Sequence, residues 1–414
     1  MTNPPDSRRR GLVYILGATG IAGVCGYLIQ LAAPAFLSDA HAYLAFSVFW
    51  STLYLFGSAL SGAQQEMARA THPAEEERGR SPVRTFAIGA AGVVAVGAVV
   101  VGLVLSPGAF SSAPVAMTVW FSVGLVGYVL MSVLAGMMYG LEMWRAIAAL
   151  TVTDAVIRAV LVTAALALEL PIGVIAALIS VPFVLSASIL WLAVRRRVVG
   201  RYALDVGPRR LSANTLSTAV GAGAMGVLVT GLPLLLRSFL PTSDAAYLAG
   251  LILVLTITRA PLIIPIMALQ SFLVVSFRRS TAHLWSVLLR YLLILAAVTG
   301  AFAVAAWLWG PAVIDFISQG RFVVEPYTAA VVVVSAGLVA SMCITGPALL
   351  ARAQHRWFVG GWVLAAAATI VLLALPIESE AKATAALLVA PALGVIVHVV
   401  RVSTFTAEPV AQVE

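Results

Sequence analysis

Charge is what this sequence has least of. Only 10% of its 414 residues are Asp, Glu, Lys or Arg, against about 25% in a soluble globular chain. Lysine occurs once, at Lys382, beside 24 arginines, and 17 acids leave a formal net charge of +8. Cysteine is nearly as scarce: Cys25 and Cys343 both lie inside apolar runs, which excludes a disulfide scaffold and leaves the redox compartment open. The five histidines, His41, His72, His283, His355 and His398, are scattered along the chain. Metal-ligand spacings, nucleophile motifs and glycine-rich phosphate loops are missing. Neither a metal, a cofactor nor an enzymatic activity is expected. The basic residues sit in short clusters between apolar runs and not on one soluble face, so nucleic acid is not an expected partner.

What is abundant is hydrocarbon: 61% of the residues are hydrophobic and the mean hydropathy is +1.03. A bilayer-spanning helix needs about 20 apolar residues. The apolar runs predict an all-α, polytopic membrane protein with twelve spans, at 12–36, 42–66, 86–106, 114–141, 146–168, 171–194, 214–238, 245–276, 284–309, 326–350, 358–376 and 383–402. The first run continues into a second span, so a retained helix is expected there and not a cleaved signal. Alternate loops carry the arginines (Arg8–Arg10, Arg78 and Arg80, Arg145, Arg195–Arg197, Arg278 and Arg279, Arg352, Arg401), while the others carry Asp39, Glu169, Asp244, Glu325 and Glu378. Positive loops stay inside, which predicts cytoplasmic termini. Arginine in place of lysine, with abundant Ala, Val and Gly, fits a GC-rich bacterial genome, and hence a bacterial cytoplasmic membrane.

The chain also repeats itself. Ser38-Asp39-Ala40-His41-Ala42-Tyr43-Leu44-Ala45 is echoed by Ser243-Asp244-Ala245-Ala246-Tyr247-Leu248-Ala249, and Gly17 and Gly20 by Gly223 and Gly226. Offsets of 205 and 206 residues predict two pseudo-symmetric six-helix lobes, 1–205 and 206–414, around a central cavity. The glycines at equivalent places suit either a moving seam or close packing.

Charges deep in a bilayer are costly, about 2.5–3.5 kcal/mol each on insertion scales, and normally face a cavity or a partner. Asp154 and Arg158 lie one turn apart on the fifth span and suit either a ligand site or a self-neutralising pair. Arg259 sits at mid-depth of the eighth span, where no acid lies within a turn or two, with Gln270 three turns along the same face and Pro261 and Pro265 between them. Arg290 lies about two turns inside the ninth span, where it either snorkels or faces a cavity. The second span carries a stripe of Ser47, Ser51, Tyr54, Ser58, Ser61, Gln65 and Arg69, one polar face whose favoured reading is a water-filled groove over helix–helix glue. Glu66 beside it is a candidate proton site or an interfacial residue.

These features resemble the Wzx-like, lipid-linked oligosaccharide flippases of the multidrug/oligosaccharidyl-lipid/polysaccharide exporter superfamily. The resemblance rests on Gly17, Gly20, Ser38 and Tyr43, on Gly62-Ala63-Gln64-Gln65-Glu66 running to Arg69, on Trp144 with Asp154 and Arg158, and on Arg259-Ala260-Pro261 leading to Gln270. It implies two six-helix lobes, alternating access, and a cationic cavity for a polyprenyl-diphosphate-linked glycan whose tail stays among membrane lipids, with polysaccharide polymerase machinery as a further partner. The chemistry agrees, since arginine offers a permanent charge and forked donors to phosphate oxygens. The expected substrate residues are Arg158, Arg259, Arg290, Gln270, Gln65, Ser58 and Ser61, with Asp154 and Glu66 as candidates for ion coupling. The alternatives are a drug or small-molecule antiporter of the same fold, which would favour buried acids, and a membrane-embedded glycosyltransferase or polymerase, which would call for paired acids or a sizeable outer loop.

Overall fold

A computed structural model of the protein describes residues 5–74, 82–240, 244–279 and 284–404. Arg78, Arg80 and Ser243, used above for orientation and repeat, lie outside the described residues, as do the side chains of Arg8–Arg10, Arg278 and Arg279.

The apolar runs fold as helices. They are α1 (Pro5–Phe36), α2 (Ala40–Ala70), α3 (Pro82–Leu105), α4 (Pro114–Gly140), α5 (Trp144–Ala167), α6 (Ile172–Val198), α7 (Pro208–Val229), α8 (Leu232–Phe239), α9 (Ala245–Arg279), α10 (Leu284–Ser318), α11 (Pro326–Ala351), α12 (His355–Ala374) and α13 (Ser379–Thr404). Among the described residues eleven are long and apolar enough to cross a membrane. A twelfth is α9, counted as one span although Ala245–Arg259 and Pro261–Met267 meet at 40°. Pro261 and Pro265 cause that bend, since each lacks the amide that would bond the preceding turn. The all-α multi-pass membrane fold is therefore as read from the sequence.

The predicted span 214–238 needs correction. It is two helices, α7 and α8, broken at Thr230-Gly231. Pro233 sits in the first turn of α8, where a missing N–H does no harm but a continuing helix would need it. A second departure is small. β1 (Thr71–Pro73) pairs antiparallel with β2 (Tyr202–Leu204), Thr71 opposite Leu204 and Pro73 opposite Tyr202.

The chain divides into two compact units, Met1–Ala249 with Ile317–Phe322, and Gly250–Phe316 with Val323–Glu414. This division of contacts differs from the division of the repeat at 205/206, because α7 packs along α2. In the first unit α2 and α4 are central: α2 lies against α4 and α7, α4 against α3 and α6, and α1 against α5. Met67, Val133, Met138, Leu150, Val198 and Tyr202 fill the core beneath the β1–β2 ribbon. In the second unit α11 is apolar on every face, as a helix surrounded by others must be, and α13 packs on both α11 and α12. His398 of α13 is fully buried there. Its Nδ1 is 3.0 Å from Thr345 Oγ1 of α11 and its Nε2 is 3.1 Å from the Phe358 carbonyl of α12.

Candidate functional site

The polar stripe of α2 splits into two edges with different surroundings. One edge is glue. The Ser51 hydroxyl donates to the Thr230 carbonyl at 2.6 Å and accepts from the Leu234 amide at 3.3 Å. It thereby serves backbone groups that the break between α7 and α8 leaves over. Further along, a Cβ on Gly226 would stand 2.7 Å from Ser58 Cβ, and a Cβ on Gly62 would stand 2.7 Å from the Ala219 amide nitrogen. The α7 glycines are thus a packing surface. The α1 glycines that match them in the repeat are not, since Gly17 and Gly20 have nothing within 4 Å of their would-be Cβ. The favoured reading of the whole stripe as a water-filled groove fails on this edge, because a neighbouring helix supplies the polar partners.

The other edge stays partly open. Trp50, Tyr54, Ser61 and Gln65 fall within a narrow sector of the helix; the first three are half-buried and Gln65 is exposed. The Trp50 and Tyr54 rings stack with centroids 4.8 Å apart. Ser61 donates to the Ser58 carbonyl of its own helix at 2.6 Å, which leaves its oxygen lone pairs available, whereas Ser58, bonded to the Tyr54 carbonyl at 2.9 Å, faces Gly226 of α7.

Behind Tyr54 lies the Asp154–Arg158 pair of α5. Arg158 is 4% exposed, and its two Nη atoms grip both carboxylate oxygens of Asp154 at 2.8 and 2.7 Å. Its Nη1 also donates to Tyr54 Oη at 3.0 Å, and its Nε to the Ile179 carbonyl of α6 at 3.0 Å. The guanidinium carbon sits 3.9 Å from the centroid of Phe183, close enough for a cation–π contact. Tyr128 closes the box, edge-on to Phe183 at 5.1 Å. The result is a neutral cluster that fixes the Tyr54 ring from behind.

Glu66, 6% exposed, belongs to a different network at the Arg69 end of α2. It accepts from Arg69 Nε at 2.9 Å and Nη2 at 2.7 Å, and from Asn214 Nδ2 of α7 at 2.7 Å. Arg69 Nη1 reaches Asp205 at 3.0 Å, beside the β ribbon. At the Asp39 end of the same unit, Arg321 donates to the Pro34 and Ala35 carbonyls of α1, at 2.7 and 3.2 Å, and to that of Leu37 just past its end, and Phe322 packs against Tyr43 at 5.0 Å.

The structure therefore leaves Ser61 and Gln65 on the open edge of α2 and Ser58 at its contact with α7, places Arg158 and Asp154 behind Tyr54, and sets Glu66 apart in its own ion pair. The remaining expected residues belong to the second unit. Arg259 is buried in the middle of α9, 8% exposed; Gln270, two turns beyond Pro261, is partly buried, and Arg290 is exposed on α10. Sequence reading passed over Trp50, Asn214 and Asp205. For Trp50 a signal existed: it lies one turn before Tyr54 near the middle of a span, whereas membrane tryptophans concentrate at the two interfaces. For Asn214 and Asp205 there was none, because their partners are distant in sequence.

No protein-family profile matches the chain. Among curated proteins, the uncharacterised protein Rv1510 of Mycobacterium tuberculosis is 31% identical over 96% of this chain and 92% of its own length. The uncharacterised protein Mb3654 of Mycobacterium bovis is 29% identical over 92% and 90%. Among solved structures, a MOP superfamily transporter from Pyrococcus furiosus, described as having a binding pocket of reversed polarity, superposes with a TM-score of 0.60 at 13% identity, covering 97% of this chain and 99% of its own. A multidrug resistance MATE family transporter in an inward-facing conformation gives a TM-score of 0.58 at 14% identity, covering 94% of each chain.

Proposed function

The chain belongs to one family with the mycobacterial protein Rv1510 and has the fold of the MOP superfamily transporters, and from that premise we propose that it is a transporter that flips a polyprenyl-diphosphate-linked oligosaccharide from the cytoplasmic to the outer leaflet by alternating access. Both termini are then cytoplasmic, and the membrane is a bacterial cytoplasmic membrane.

The observation that carries this reading is Arg259, a permanent cation buried about 21 Å along α9. A guanidinium at that depth suits a ligand that brings negative charge into the membrane, and its planar fork matches phosphate oxygens. Arg290, exposed on α10, adds a second cation, and Ser61 and Gln65 supply hydroxyl and amide groups of the kind a glycan needs. Asp154 and Glu66 are the proposed coupling positions, each held by an arginine on its own helix.

The test uses proteoliposomes carrying a fluorescent polyprenyl-diphosphate disaccharide, with leaflet exposure read by a glycan-modifying enzyme added outside. The wild type translocates the probe, Arg259→Ala does not although it inserts normally, and Arg259→Lys is partly active at best. Normal translocation by Arg259→Ala overturns the site, and no translocation by the wild type overturns the function. A drug-antiporter reading has in its favour the multidrug transporters of the same fold. It predicts efflux of a cationic dye from the same vesicles.

A further inference from the structure

The loop that joins α10 to α11 holds a cation where the charge pattern of the chain disfavours one. The alternate loops that carry Asp39, Glu169, Asp244, Glu325 and Glu378 have one basic residue between them, Arg321. Loops on that side of a membrane are normally poor in arginine, so Arg321 needs a reason to be there.

Its surroundings supply one. Ile317–Phe322 packs in the first unit, although most of α10 before it and α11 after it belong to the second. The segment is folded as a hook. Gln319 and Gly320 have φ of 56° and 79°, two left-handed residues in a row that turn the chain sharply past the end of α10. Ser318 holds the turn from within. Its carbonyl accepts from the Arg321 amide at 3.3 Å and from Arg321 Nε at 2.7 Å, and its hydroxyl accepts from the Phe322 amide at 3.2 Å. The far side of the guanidinium grips the end of α1. Nη2 donates to the Pro34 and Ala35 carbonyls at 2.7 and 3.2 Å, and Nη1 to the Leu37 carbonyl. A helix end leaves such carbonyls without partners, and they form the negative pole of its dipole. Beside them Phe322, 4% exposed, lies against the buried Tyr43 ring of α2.

Two features distinguish this contact from a fixed joint. The hook keeps its shape by its own bonds to Ser318, so it can leave and return as one piece. Its grip on α1 is also replaceable by water. Arg321 is half-buried, and its partners among the described residues are all backbone carbonyls, so release strands no buried charge. The Asp154–Arg158 pair is the opposite case, since both groups are buried and parting would cost each its counter-charge. We propose that the hook is the outer latch of the transport cycle, shut on α1 and α2 in this conformation and released when the protein opens outward. The inference rests on the alternating-access reading and the orientation that goes with it, and it assigns Arg321 to gating and not to the substrate.

Spin labels at His41→Cys and Gln319→Cys, two exposed positions flanking the contact, test this in the full-length protein with Cys25 and Cys343 replaced. In nanodiscs, with Arg321 intact, the labels give a short and a long distance, the short one dominant. Arg321→Ala raises the long fraction at least threefold, because it removes what favours one of two states. Arg321→Lys, which lacks the planar fork, falls between. Arg237→Ala, the loss of an α8 arginine that makes none of these bonds, leaves the distances unchanged. In proteoliposomes a short bifunctional thiol reagent joining the same two cysteines stops translocation of the fluorescent lipid-linked disaccharide, and reductive cleavage of the link restores it. A single distance that Arg321→Ala does not change, or full translocation by the cross-linked protein, overturns the latch while the flippase reading stands. No translocation by the wild type overturns the flippase reading, and the spin-label distances then decide the latch by themselves.

Discussion

At the scale of single residues, two kinds of position are separated by what surrounds them. Gly62 and Gly17 look alike in sequence, each a glycine in an apolar helix. A methyl at Gly62 would meet backbone of α7, Ala219 N at 2.7 Å and Cα at 3.0 Å, whereas one at Gly17 meets nothing within 4 Å. Backbone cannot turn aside as a side chain can, so Gly62→Ala should destabilise the protein by about 1–3 kcal/mol, the usual cost of overpacking. Gly17→Ala should be neutral or stabilise by up to about 1 kcal/mol through helix propensity. Thermal unfolding in detergent ranks the two, and equal midpoints would contradict the α2–α7 contact. The buried pair behaves differently. Asp154→Asn leaves the Arg158 guanidinium buried without its counter-charge, and removal of one partner from such a pair costs about 3–5 kcal/mol. Asp154→Asn combined with Arg158→Leu should recover part of that loss, because no charge is then stranded. A double variant less stable than Asp154→Asn alone would contradict this. Should Asp154→Asn still fold, wild-type response of transport to an imposed pH gradient would exclude Asp154 as the coupling group.

At the scale of elements, α2 meets segments far along the chain at both ends, through polar contacts near Arg69 and a ring contact near Asp39. Near Arg69 the tie is Glu66 with Asn214 and Arg69 with Asp205, beside the β1–β2 ribbon. Near Asp39 it is Arg321 on the α1 carbonyls with Phe322 against Tyr43. Asn214→Ala removes a hydrogen bond to a carboxylate, a contact worth about 1.5–3 kcal/mol net. Deuterium uptake at 202–204 and in the first turns of α7 should then speed up about tenfold, with no change around residues 34–37. Uniform acceleration across the unit would show a general loss of stability instead of a local tie.

At the scale of the molecule, the alternation of arginine-rich and acidic loops makes one testable statement about orientation. With Cys25 and Cys343 replaced, single cysteines at Asp39, Asp244 and Glu378 should be labelled by an impermeant reagent from outside. Cysteines at Arg78, Arg196 and Arg279 should be labelled only after permeabilisation. Opposite labelling of Asp39 and Asp244 would defeat the duplicated arrangement, since equivalent loops of two six-helix repeats must share a side.

Length and hydropathy alone determined the membrane class and most helix limits to within a few residues. This is because a helix must satisfy its own backbone where there is no water, and that demand is written locally. Asp154 with Arg158 was legible for the same reason, as four residues make one turn. Tertiary structure decided the rest. It broke α7 from α8 and then supplied Ser51 from α2 to the groups left at the break. It turned the Ser51–Ser58 edge of α2 into a contact with α7 and left the Trp50–Gln65 edge open, although both belong to one periodic stripe. Glu66, read as a candidate proton site, became the acceptor of Asn214, 148 residues away. A sequence reports which face of a helix is polar, but the partner of that face is chosen by packing between segments far apart in the chain.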